Sequence, residues 1–156
     1  MSISRKLKGI LEEKKIAFKV HDHPAAYTAQ EIAGAQHVPG AQLLKAVIVK
    51  MDGQFVMCVI PSTLLVDFAK LKSFAKAKEI KMANETELAK LFPEYELGAE
   101  PPFGNLYGLK VYADRSIEER ENVFFNAGSH TSTVSMSTVD LIKMTQPLIG
   151  EIGKHI

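Results

Sequence analysis

Two runs of nearly unbroken apolar residues, Leu43 to Lys50 and Gln54 to Ile60, are separated by little more than Asp52-Gly53. Asp-Gly suits the positive φ angles of a tight turn, so the two runs are predicted to be the strands of one hairpin. Strands that are apolar on both sides must be covered on both faces, which demands further layers against the sheet. A chain of 156 residues, 46% of them hydrophobic, has the material for one such core, and a single domain spanning residues 1–156 is expected.

The flanking sequence alternates between helix and strand signals. Ile3, Leu7, Ile10 and Leu11 recur at helical spacing, and a short strand-like run from Ala17 to His21 follows. Thr28 with Glu31, and Asn84 with Glu87, are cap-like pairs in which one side chain accepts from the N3 amide while the carboxylate reaches back to the cap amide. They predict one helix running from Thr28 toward Pro39-Gly40 and another after Asn84, with a further helix over Asp67 to Ala75. Strands are expected at Lys78 to Met82, Leu109 to Ala113, Val123 to Asn126 and Thr131 to Met136, and a last helix after Ser137 with Asp140 nearby. This is the pattern of an α/β domain with a mixed or largely antiparallel sheet. No internal repeat, Gly/Ser linker, G-x-G-x-x-G or Walker loop occurs, so nucleotide binding of the Rossmann or P-loop kind has no support.

Charge narrows the function. The formal net charge is +1, which argues against a protein that coats DNA or RNA along its length, although gripping one RNA end needs few contacts. Lys70, Lys72, Lys76, Lys78 and Lys81 form a local basic cluster that reads either as a solvated face or as a surface for phosphates. The first fifteen residues are charged throughout with no apolar h-region, and no run approaches the roughly eighteen apolar residues of a membrane span. A cytoplasmic protein with no membrane partner is therefore expected. The lone cysteine, Cys58, sits in an apolar run and reads as a small buried hydrophobe that suits a reducing compartment.

Three segments carry candidate chemistry. Lys45 interrupts an otherwise apolar strand, and an unpartnered ammonium is too costly to bury, so it must reach water, an anion or a ligand. Either it faces solvent near a strand end or it lines a pocket. In Gly98-Ala-Glu-Pro-Pro102-Phe-Gly104 the prolines stiffen the backbone and the glycines permit turns or close approach of a ligand. Asn126-Ala-Gly128-Ser129-His130 sets a turn and polar side chains between two strands. His21, His23 and His37 make an incomplete metal site without a familiar zinc spacing. There is no G-x-S-x-G elbow, and Cys58 lacks the electropositive, exposed setting of a reactive thiol.

Together, His21-Asp-His-Pro24 with Thr28-Ala-Gln-Glu31, the strand around Lys45, the Gly98-x-x-x-Pro102-Phe-Gly104 loop and Phe125-Asn-Ala-Gly-Ser-His130 resemble the YbaK/prolyl-tRNA synthetase-associated editing family. The resemblance runs in order from about Ile16 to Gln146. It implies a compact α/β fold whose mixed sheet is wrapped by helices, and a metal-independent, cofactor-free aminoacyl-tRNA deacylase that hydrolyses the ester of mischarged tRNA in trans. By the same resemblance, Lys45, Gly98 and His130 are the catalytic positions. Lys45 would hold the 3′ end of the tRNA, the Gly98 to Pro102 loop would embrace the aminoacyl group with its backbone, and His130 would shape the amino-acid pocket. His23, Tyr27, Ala46, Ala99, Glu100, Pro101, Pro102, Phe103, Gly128 and Ser129 would bind substrate. Relatives specific for alanyl-tRNA(Pro) tend to carry Lys-Asn where this chain has Lys45-Ala46, so the resemblance names neither the amino acid nor the tRNA.

The partners implied are the acceptor end of a mischarged tRNA and an aminoacyl-tRNA synthetase, with the chain itself a monomer or weak homodimer. Two other classes of function stand beside this one. The same pocket would serve a non-catalytic module that binds a tRNA end or an amino acid, and the three histidines would serve a metal hydrolase.

Overall fold

The computed structural model describes residues 5–22 and 40–155. The predicted hairpin is its centre: β2 (Leu43–Met51) pairs antiparallel with β3 (Gln54–Pro61) along nearly its full length, from Leu44 opposite Pro61 to Met51 opposite Gln54. Asp52 and Gly53 take the positive φ values of 49° and 85° that a two-residue turn of this hand requires. The Asp52 carboxylate also accepts from the Lys78 and Glu79 amides, which ties β5 (Ile80–Met82) to the hairpin end.

Around this hairpin the main sheet runs in the order β1-β8-β7-β2-β3-β6-β9, with β5 also on β2. The remaining strands are β1 (Phe18–Asp22), β6 (Lys110–Asp114), β7 (Asn122–Asn126), β8 (Ser132–Ser137) and β9 (Leu148–Gly150). The β2–β7, β3–β6 and β6–β9 pairings are parallel and the others antiparallel, so the sheet is mixed, as expected. A separate ribbon joins β4 (Leu64–Val66) to β10 (Gly153–His155).

The alternation of side chains along β2 and β3 divides the apolar residues between two faces. Leu44, Ile48, Met57 and Val59 lie on one face with Val111, Phe103, Phe125 and the buried Leu7 and Leu11 of α1 (Arg5–Glu13). Val49, Val56, Cys58 and Ile60 lie on the other with Tyr112, Ile152 and Leu71 of α2 (Phe68–Ala75). Both hairpin faces are thus covered, as their unbroken apolar character requires. Helix α2 is capped by Asp67, α3 (Glu85–Leu91) by the Asn84–Glu87 box, and α4 (Thr138–Thr145) by Ser137. The Thr28–Glu31 pair and the helix expected after it lie outside the described residues.

Candidate functional site

A strand has two hydrogen-bonding edges, and β3 occupies one edge of β2. The other edge is shared. β7 takes its beginning, at Leu43 and Leu44, and β5 takes its end, at Val49 to Met51. Between them lies a break in the sheet. Lys45, Ala46 and Val47 are half-buried, whereas Leu43, Leu44, Ile48 and Val49 on either side are buried. The break also frees backbone groups. In a ladder alternate residues direct N–H and C=O to the same edge. Leu43 C=O points toward β3, where Ser62 N donates to it, and Ile48 C=O points toward β5, where Ala83 N donates to it. Ala46, in phase with Ile48, therefore turns its N–H and C=O into the break, and no described strand pairs with them.

Lys45 projects from the sheet face that carries Val47 and Val49. Burial lowers its pKa below the ordinary lysine value, and among the described residues it has no hydrogen-bond or ion-pair partner. Ala46 points to the opposite face and packs against the core there. The strand composition allows Lys45 either a solvent-facing strand end or a place lining a pocket. It sits at neither strand end, but inside the strand where the partner strands part.

The two loops assigned by sequence are brought to this break. Continuing the β2–β7 register, Lys45 would stand opposite Asn126, the last residue of β7. Asn126 Nδ2 reaches the Gly98 carbonyl at 3.5 Å, and its own Oδ1 is buried without a partner among the described residues. Gly98 adopts φ of +82°, a left-handed conformation that favours glycine. A Cβ there would meet His130 Cε1 at 3.8 Å, so the imidazole lies against Gly98.

Four hydrogen bonds close the two loops on each other. Glu96 N donates to Gly128 O and Gly128 N donates to Ala99 O, each at 3.0 Å. His130 N donates to Glu96 Oε1 at 2.9 Å, and the His130 ring reaches Leu97 O at 2.8 Å. A carbonyl can only accept, so His130 Nε2 carries the proton. Beneath the loop, Phe103 packs on Phe125 with ring centroids 5.7 Å apart, and the Phe92, Tyr95 and Tyr107 rings cluster at its root.

Gly98, Gly128 and His130 are thus joined to one another, and Asn126 links them to the end of β7, beside the break that holds Lys45 and Ala46. Ala99, Phe103 and Ser129 are buried at 0–1% exposure, beneath or within the loops. Ser129 Oγ is held near Thr131 Oγ1 at 3.3 Å. Pro101 and Pro102 are buried in the same loop, and Glu100 is 5% exposed. His23 and Tyr27 lie outside the described residues. His21 Nε2 lies 2.8 Å from Ser135 Oγ, and no cluster of three metal-ligating side chains exists among the described residues. Within the lysine cluster, Lys70 pairs with Glu151 and Lys81 with Glu79.

One contributor escapes sequence reading: Glu96 joins the loops across 34 residues of chain with no spacing that announces it, whereas Asn126 lies in a segment that the sequence already offers. Two amides of the Gly98 loop are engaged within the loop itself. Gly98 N donates to Glu100 Oε1 and Ala99 N to Glu96 O. Ala46 N–H, by contrast, pairs with no described strand on the β7 and β5 edge.

Comparison with known proteins identifies the family. The aminoacyl-tRNA editing domain model matches residues 23–144. A Ser/Thr-tRNA deacylase named ProXp-y from Escherichia coli is 26% identical over 148 residues, which is 92% of this chain and 88% of that protein. A proline–tRNA ligase of Staphylococcus saprophyticus is 32% identical over 107 residues, 67% of this chain but only 18% of the ligase, so the match spans under a fifth of that relative. A solved structure described as a candidate trans-editing enzyme for prolyl tRNA synthetase superposes with a TM-score of 0.85 at 20% identity, covering 96% of each chain. No described helix is long and apolar enough to cross a membrane. The chain belongs to the aminoacyl-tRNA editing domain family.

Proposed function

We propose that the chain hydrolyses the ester of mischarged aminoacyl-tRNA in trans, releasing free amino acid and tRNA, and that the break in the β2 edge at Lys45 to Val47 is where the ester lies. That break carries the reading, because the Lys45 ammonium and the Ala46 amide have no partner there among the described residues, and the end of β7 beside it is tied to the closed pair of loops. The family membership and the near full-length similarity to ProXp-y support it. Substrate enters as the acceptor end of a tRNA, with Lys45 as a point charge for a phosphate. The aminoacyl group lies against Gly98 to Pro102, Gly128 and His130, and His23 and Tyr27 belong to the same substrate-binding set.

The chemistry requires a water oxygen to attack the ester carbonyl, charge to collect on the carbonyl oxygen, and the ribose oxygen to leave with a proton. Ala46 N–H stabilises the developing charge, a role worth about 10²–10³ in rate for one such donor. The ribose hydroxyl next to the ester helps position the water. Cys58 takes no part, and no metal or organic cofactor is needed. The chain works as one domain in the cytoplasm, as a monomer or weak homodimer, free-standing or beside a synthetase. It does not act on DNA or membranes.

A panel of mischarged tRNAs, with spontaneous ester loss measured alongside and a chelator in parallel, tests this reading. Release of amino acid above background from at least one short-side-chain ester, unchanged by chelation, is expected. Protection of every ester would instead identify a binding module, and loss of activity in chelator restored by zinc would identify a metal hydrolase.

A further inference from the structure

Glu100 is a carboxyl with no evident structural debt to a cation. It is 5% exposed, and among the described residues it forms no ion pair with a lysine or arginine. Its Oε1 accepts from Gly98 N at 3.2 Å, which places the carboxyl two residues along from the glycine that lies against His130. Burial pushes its pKa above the ordinary glutamate value, against the opposing pull of its own amide, the Gly98 amide and the nearby His130 ring. A buried acid without a matching cation is costly unless a ligand brings one.

The substrate proposed above always brings one. Every aminoacyl ester carries an α-ammonium one carbon from the ester carbonyl, so a loop that holds the carbonyl near Gly98 sets the ammonium within reach of a carboxylate on the same loop. We infer that the Glu100 side chain is the counter-charge for the α-ammonium of the aminoacyl group, a specificity-determining contact that rests on the editing reading. Glu100 then selects free aminoacyl esters over N-acylated ones. Peptidyl-tRNA and other N-acylated tRNAs have the same ester but no cation, and would leave the carboxylate buried and unpaired. The site so built removes wrong amino acids from tRNA and leaves growing chains attached.

The test compares wild type and Glu100→Gln. Glutamine keeps the shape and an acceptor for Gly98 N–H while removing the charge. Hydrolysis is measured on a mischarged tRNA and on its N-acetylated counterpart. Binding is measured by calorimetry with 3′-amino-3′-deoxyadenosine carrying alanyl, seryl or threonyl groups in stable amide linkage, free-amine and N-acetylated. Wild type should prefer the free amine in both readouts. Glu100→Gln should lose about tenfold or more on the free amine, the loss expected of one charged hydrogen bond, and little on the N-acetyl form. Equal losses on both forms would make Glu100 only a brace for the loop, and no wild-type preference for the amine would equally overturn the inference. Absence of turnover with a retained amine preference in binding would overturn the editing reading while upholding the role of Glu100.

Discussion

Lysine and cysteine in the same hairpin show how one strand position differs from the next. Lys45 falls where β2 has lost its neighbour and remains half-exposed, whereas Cys58, on β3, is fully covered. Burial pushes the Cys58 thiol up to about 12, so at neutral pH it is uncharged and unreactive. Cys58→Ser should therefore keep turnover within a fewfold and lose about 1–3 kcal/mol of stability, the cost of an unpartnered hydroxyl in an apolar setting. Paired single-turnover and thermal-midpoint measurements check both statements, and a folded serine variant without turnover would contradict the first. The need for Lys45 to meet something polar was legible from composition of the strand alone. What it meets was not, because that depends on where β7 stops and β5 begins.

Elements are joined at their ends by side chains that no periodicity reveals. Asp114 ends β6, and its two oxygens accept from Ile152 N and Gly153 N at 2.9 Å, from Ser116 N at 3.1 Å and from Ser116 Oγ. Burial alone would raise its pKa, but these hydrogen bonds outweigh it and hold the carboxyl below the ordinary aspartate range. A carboxyl depressed in the folded state stabilises the fold above its unfolded pKa of about 3.9, and that contribution disappears as pH falls through the folded value. Asp114→Asn should cost about 1–3 kcal/mol near neutral pH, since one face of the amide meets donors with a donor. Urea midpoints for the two proteins should converge as pH drops below about 3.9. A gap that stays constant into acid would show that charge is not what joins β6 to the β9–β10 turn. The strands this carboxylate organises, β9 and β10, are three residues each, as is β4, and a run of three is too short to show alternation. The longer elements did, from α1 through the hairpin to α4, to within a few residues at each end.

At the scale of the molecule, the fold positions chemistry by withholding a strand. Sequence motifs named Lys45, the Gly98 loop and the His130 segment separately, and their common order in a family joined them. The physical reason for their meeting is topological: β2 is paired in parallel to β7 and antiparallel to β5 on one edge, and neither covers Lys45 to Val47. Glu96 and Asn126 then fasten the loops beside the opening. In the function proposed here, this opening hydrolyses an aminoacyl ester with Lys45 holding the nucleic-acid end. Its most direct test is single-turnover deacylation of a confirmed mischarged tRNA by wild type and Lys45→Ala, with thermal midpoints measured on both. Loss of one charged hydrogen bond predicts a fall of about ten- to a hundredfold in kcat/KM with an unchanged midpoint, because a small apolar residue is acceptable in that strand. Undiminished turnover in the folded alanine variant would contradict the account.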